Sequence, residues 1–89
     1  MLRPISRGVN AMALIEIRDF VDARGMSSPL TIELAALALE ALGEGECLEV
    51  LATDPSAVAS VEAWCRVSGN VLVQRSGDGA SYAFVIRRT

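Results

Sequence analysis

The 89-residue chain reads as a single α+β domain, a two-layer α/β sandwich with the element order β-α-β-α-β-β. Three features predict it. Short apolar runs rich in Ile and Val alternate with Ala- and Leu-rich stretches of helical length. Two pairs of a capping residue and a proline, Ser28-Pro29 and Asp54-Pro55, fall where a strand pattern gives way to a helical one. Two alternating segments then flank Gly77-Asp78-Gly79, a hairpin signal. This order implies a mixed four-stranded sheet with both helices on one face, and a right-handed crossover wherever connected strands are parallel.

Each element has its own grounds. Leu14, Ile15, Ile17, Phe20 and Val21 suit a strand that ends at the Asp22 to Gly25 turn. Ser28 as N-cap, with Pro29 at the first helical position, opens a helix to about Leu42, stopped by Gly43 and Gly45. Leu30, Leu34, Leu37 and Ala41 form one stripe of that helix, which Ile32, Ala35, Leu39 and Leu42 widen; Glu33 and Glu40 are its only charges. Cys47 to Thr53 is a near-continuous apolar run that suits a central strand. Asp54 caps a second helix running to about Val67, with Val58, Val61 and Cys65 on one face, Ala57 and Trp64 beside them, and Gly69-Asn70 ending it. Val71 to Arg75 and Ser81 to Arg87 close the sheet, the latter with Tyr82, Phe84 and Ile86 on its bulkier face. Residues 1–12 lack periodicity and read as a flexible leader before a domain over residues 13–89; Met12 is a candidate natural start.

Composition removes several chemistries. All eight cations are Arg and they are scattered; only Arg87 and Arg88 adjoin, at the chain end, where a solvated edge is expected. The net charge is −3, so no nucleic-acid footprint is present. Without Lys there is no P-loop or Schiff-base chemistry, and without His no Ser-His-Asp or Cys-His system. Cys47 and Cys65 are too few for a disulfide scaffold and lack metal-ligand spacing, so neither metal nor cofactor is expected. No secretory pattern or membrane-length apolar run occurs, which makes the cytoplasm the expected location. The 52% hydrophobic content can fill a small core and leave apolar surface for a partner or a homodimer.

The stretch Asp22-Ala23-Arg24-Gly25-Met26-Ser27-Ser28-Pro29-Leu30-Thr31 resembles the signature of the TusA/SirA-like sulfur-carrier proteins, in which Asp, then Gly, then Cys-Pro-x-Pro opens the first helix. Gly45-Glu46, Ala52-Thr53-Asp54-Pro55, Ala63-Trp64-Cys65, the Gly77-Asp78-Gly79 hairpin and the closing Tyr82 to Arg87 continue the likeness over about residues 15–88. The resemblance implies a carrier of sulfane sulfur, loaded by a cysteine desulfurase or rhodanese and unloaded to a sulfur-acceptor protein. It also implies motif or partner-binding roles for Asp22, Arg24, Gly25, Ser28, Pro29 and Thr31. A cysteine at a helix N-terminus suits this work, because unpaired N–H groups and the positive dipole end stabilise a thiolate and a persulfide.

Two departures bear on function. Ser28 stands where that family has its cysteine, and Thr31 where it has the second proline. An alcohol ionises far too weakly for the dipole to help enough, forms no persulfide, and has no His as a base, so no catalytic residue is assigned; an N-cap role for Ser28 is expected instead, worth about 0.5–2 kcal/mol relative to Ala. An engineered Cys-to-Ser change is a further reading, against which Thr31 argues, since two motif positions differ. The family's first helix usually exposes basic residues, whereas this one has Ala36, Leu37 and Glu40. Cys47 and Cys65 are alternative thiols, each expected to pack in the core; Cys65 near a helix C-terminus would have its pKa raised. Trp64 is expected to cover the core edge. The expectation is thus a non-catalytic protein-binding or regulatory member, with a relay through Cys65 or Cys47 as the alternative and a homo-oligomeric structural role as a third. Whether the chain is an enzyme stays open on these residues.

Overall fold

A computed structural model describes residues 9–10, by backbone alone, and residues 15–89. Its elements are β1 (Val9–Asn10), β2 (Ile15–Ala23), α1 (Ser28–Glu40), β3 (Cys47–Ala52), α2 (Ala57–Ser68), β4 (Val71–Gly77) and β5 (Tyr82–Arg87). The sheet order is β1-β2-β3-β5-β4. Strands β2 and β3 are parallel, while β5 runs antiparallel to both β3 and β4. The expected mixed four-stranded sheet is therefore present as β2-β3-β5-β4. A two-residue β1 adds to it, with Val9 opposite Glu16 and Asn10 opposite Ile15. The rest of the leader, Met12 and Leu14 lie outside the described residues.

Alternation along the strands sorts the side chains into two faces. Leu48, Val50 and Ala52 of β3 and Phe84 and Ile86 of β5 are buried together with Ala35, Leu39, Ala57, Val61 and Cys65 from the helices. Both helices thus cover one face of the sheet, and Tyr82 and Trp64 pack at the margin of this core. On the other face Ile17, Cys47 and Val85 form a smaller buried cluster, with Ile15 and Val73 against it.

Helix α1 carries two apolar stripes, and the structure buries the second of them. Its buried residues are Ser28, Thr31, Ala35 and Leu39, with Leu42 buried just beyond it. Leu30 and Leu37 of the other stripe are 41% and 66% exposed. The helix is apolar on most sides, so periodicity alone does not choose a face; Thr31, Ala35 and Leu39 are the residues it turns inward. It also ends at Glu40, two residues early. Arg88 is responsible for how it ends. Its guanidinium donates to the Glu40 carbonyl at 3.1 Å and to the Leu42 carbonyl, while its backbone bonds Gly45 and Glu46. The expected solvated chain-end arginine is instead the cation that closes the negative end of α1.

Helix α2 begins at Ala57, with Ser56 and not Asp54 at the cap position. Ala57, Val61 and Cys65 are its buried residues, and Gly69, at φ 84°, ends it in the left-handed conformation with its N–H on the Cys65 carbonyl.

Candidate functional site

Because β2 and β3 are parallel neighbours, the loops that follow them lie side by side at their C-terminal ends. In an α/β arrangement this end gathers helix N-termini and their free N–H groups. The loop after β2 turns at Gly25, φ 83°, and the loop after β3 holds Thr53, Asp54 and Ser56.

Side-chain bonds join the two loops. The Gly25 amide donates to Thr53 Oγ1 at 2.8 Å, and the Ser28 amide to Asp54 Oδ2 at 2.8 Å. Asp54 Oδ1 accepts from the Ser56 amide at 2.9 Å and from the Ser56 hydroxyl at 2.9 Å. These two bonds, followed by that from Ser28, hold the Asp54 carboxyl below its ordinary range against the opposing effect of desolvation. One carboxylate therefore occupies the electropositive ends of both helices.

The Ser28 side chain points into this network. Its Oγ lies 3.0 Å from Ser56 Oγ and 3.2 Å from Ser60 Oγ, and the residue is 7% exposed. Each serine hydroxyl has one proton. The Ser56 proton is best placed on the Asp54 carboxylate, which makes Ser56 Oγ the acceptor for Ser28, and Ser28 Oγ the acceptor for Ser60. Ser28 is thus pinned between two helices. The anion at the end of the chain has a lowered pKa, which makes it a poor general base near neutral pH.

Ser28 is not the N-cap. Ser27 takes that position, its Oγ accepting from the Leu30 amide at 3.4 Å, and Ser28 and Pro29 begin the helix proper. Thr31 is fully buried; its hydroxyl and its amide both donate to the Ser27 carbonyl at 2.9 Å. Asp22 and Arg24 form an exposed bidentate pair at 2.8 and 2.9 Å. The Arg24 side chain, with its backbone amide, brings the Asp22 carboxyl down to about 2. Asp22, Arg24, Gly25, Ser27, Pro29 and Leu30 are the exposed part of the stretch.

The two thiols lie elsewhere. Cys47 begins β3, five residues and about 17 Å from its C-terminal end. It is 3% exposed and lines a cleft of about 410 Å³ with Ile15, Arg18, Glu46 and Arg87 among others. Cys65 is 5% exposed, and burial pushes its thiol up. Among the described residues no group of three or more His, Cys, Asp or Glu side chains could hold a metal ion, and no helix is long and apolar enough to cross a membrane.

Ser56 and Ser60 carry no motif of their own in the sequence, and Thr53 enters it only within Ala52-Thr53-Asp54-Pro55. Ser56 and Ser60 are four apart at the start of a helix, a spacing that puts both on one side. What they face follows only from the parallel pairing of β2 with β3.

Comparisons with known proteins place the chain's sequence in a family. A family model described as sulfurtransferase TusA matches residues 19–88. The sulfur carrier protein TusA of Allochromatium vinosum is 35% identical over 69 residues, 78% of this chain and 91% of that protein. A putative sulfur carrier protein of Neisseria meningitidis serogroup A is 37% identical over 69 residues, 78% of this chain and 93% of its own length. One from Halobacterium salinarum is 33% identical over 76 residues, 83% of this chain and 93% of its own.

Proposed function

The chain belongs to the TusA family of sulfur-transfer proteins, and we propose that it is a member that carries no persulfide at the family's usual position and works by binding another protein. The observation that carries this reading is Ser28. Read as the counterpart of the motif cysteine, it offers an oxygen where sulfur chemistry needs a thiol, and its hydroxyl is tied to Ser56 and Ser60. Asp54, the carboxylate at the end of that chain, is stabilised as the anion and is no base for an alcohol.

A relay on a relocated thiol has less support. A carrier sulfur must meet the active sites of two other proteins in turn, and Cys47 and Cys65 are both buried. Cys65 is further disfavoured by its raised pKa, which lowers its thiolate fraction. The partner class follows from the family: a cysteine desulfurase, a rhodanese or a sulfur-acceptor protein, met in the cytoplasm. The exposed Arg24, Gly25, Pro29 and Leu30 around the Ser28 helix start are the contact surface in this reading.

Intact mass after incubation with cysteine, a cysteine desulfurase and a persulfide-trapping alkylator tests it. The expected result is no added sulfur on the unaltered chain and one on Ser28→Cys. A sulfur on the unaltered chain that vanishes in Cys65→Ala or Cys47→Ala would establish a relocated carrier and sink the proposal.

A further inference from the structure

Helix α1 has a second apolar side. Leu30, Leu34, Leu37 and Ala41 succeed one another at spacings of four, three and four residues, which stacks them along one flank. Leu30 is 41% and Leu37 66% exposed, Ala41 is exposed and Leu34 half-buried. Surface helices ordinarily turn polar residues this way, and three leucines in a row mark a contact surface. Bordering them are Glu33 and Glu40, both exposed, seven residues and so about 10 Å apart along the axis. No cation lies on α1.

We propose that this ridge is a docking surface for a partner protein that presents an apolar helix or groove bordered by Lys or Arg, the cations meeting Glu33 and Glu40. The charge pattern argues against a second copy of the chain. An antiparallel two-fold pairing of α1 with α1 brings Glu33 and Glu40 against the same two acids, which lie on one side of the ridge, and α1 supplies nothing to neutralise them. The size argues the same way. A ridge one helix wide and about 16 Å long falls short of the roughly 800 Å² per partner that stable association needs, so it suits a transient contact with a different protein. Leu30 lies two residues from Ser28, which makes the ridge continuous with the site above. The inference rests on the reading that this chain acts by protein contact, and it names the chemistry of the partner's surface.

The test uses two synthetic amphipathic helices with the same leucine seam, one bordered by Lys and the other by Glu, titrated into the isotopically labelled full chain. The Lys-bordered helix should bind, shift amide resonances of α1 alone, and lose about tenfold or more in affinity with Glu33→Gln/Glu40→Gln or with Leu37→Ser. The Glu-bordered helix should not bind. Equal binding of both helices, binding of neither, or shifts centred elsewhere would overturn the proposal. A concentration-dependent dimer in sedimentation that Leu37→Ser abolishes would also overturn it, by giving the ridge to a second copy. Leu37 is exposed, so this variant keeps the fold. Sulfur loading of the unaltered chain would instead defeat the non-carrier reading while leaving the peptide titration to stand or fall alone.

Discussion

The Ser28 amide donates to Asp54 Oδ2 at 2.8 Å, tying the first residue of α1 to the loop that precedes α2 across 26 positions of sequence. The same carboxylate accepts the Ser56 amide and hydroxyl, so it satisfies free donors at the start of two helices at once.

Asp54 should therefore link stability to acid. Its folded-state pKa is depressed, by Ser56 first and Ser28 after. A depressed carboxyl contributes stability above its unfolded value, near 3.8, and loses it as pH falls through the lower folded value. The denaturant midpoint of the unaltered chain should drop from pH 4 downwards. Asp54→Asn should be less stable at pH 7 and show a shallower drop, the residual slope coming from groups such as Asp22 and Asp78, whose carboxyls are also lowered. Parallel curves for the two proteins would contradict the assignment.

Ser28→Ala separates a structural hydroxyl from a chemical one. It removes the partner shared by Ser56 and Ser60 but leaves Ser56 bonded to Asp54. The cost should be about 1 kcal/mol, read from a shifted urea midpoint at unchanged slope. A loss above about 3 kcal/mol would mean the cluster acts as a unit, beyond what one neutral bond contributes.

These two residues also show what a reader of the sequence could and could not see. The four longer strands, the helices, their order and the family likeness follow from local signals such as Ser28-Pro29, Gly69, Gly77-Asp78-Gly79 and the alternation of Tyr82 to Ile86, whereas the two-residue β1 falls in a stretch without periodicity. Cap positions were one or two residues off, because Ser27, Ser28, Asp54 and Ser56 all carry suitable oxygens and only backbone geometry chooses among them. The inward face of α1 is not legible in the sequence, because a helix apolar on most sides has no preferred period. The Ser28–Ser56–Ser60–Asp54 cluster could not be read locally at all, since it depends on β2 and β3 being parallel neighbours.

Two glycines should resist substitution for different reasons. Gly25 has φ 83° with nothing within 4 Å of an added Cβ, so Gly25→Ala should cost about 1–2 kcal/mol from backbone conformation alone. At Gly77 a Cβ would meet the Ser81 carbonyl and Tyr82 Cδ1, each at 2.8 Å, and the strain is steric. Gly25→Asn, which tolerates the left-handed region better, should recover part of the loss, whereas Gly77→Asn should be no better than Gly77→Ala. Thermal midpoints of the four variants decide it.

Thr31 is buried without being strictly required. Its hydroxyl shares the Ser27 carbonyl with its own amide, so Thr31→Val removes a redundant donor and keeps the shape. The expected change is within about 1 kcal/mol in either direction. A larger loss would show that the hydroxyl fixes the turn into α1.

Arg88 closes the other end of that helix. Its guanidinium bonds the Glu40 and Leu42 carbonyls, groups that the helix itself leaves unpaired, and its charge opposes the negative end of the dipole. Arg88→Ala should cost about 1–2 kcal/mol and speed amide exchange in the last turn of α1 more than elsewhere. Both bonds come from the single nitrogen Nη1; Arg88→Lys keeps the charge on a flexible stem without the planar group that holds this donor in place, so it should recover less than the full loss. Full recovery by Lys would assign the effect to charge alone, and equal exchange rates throughout α1 would remove Arg88 from the role of cap.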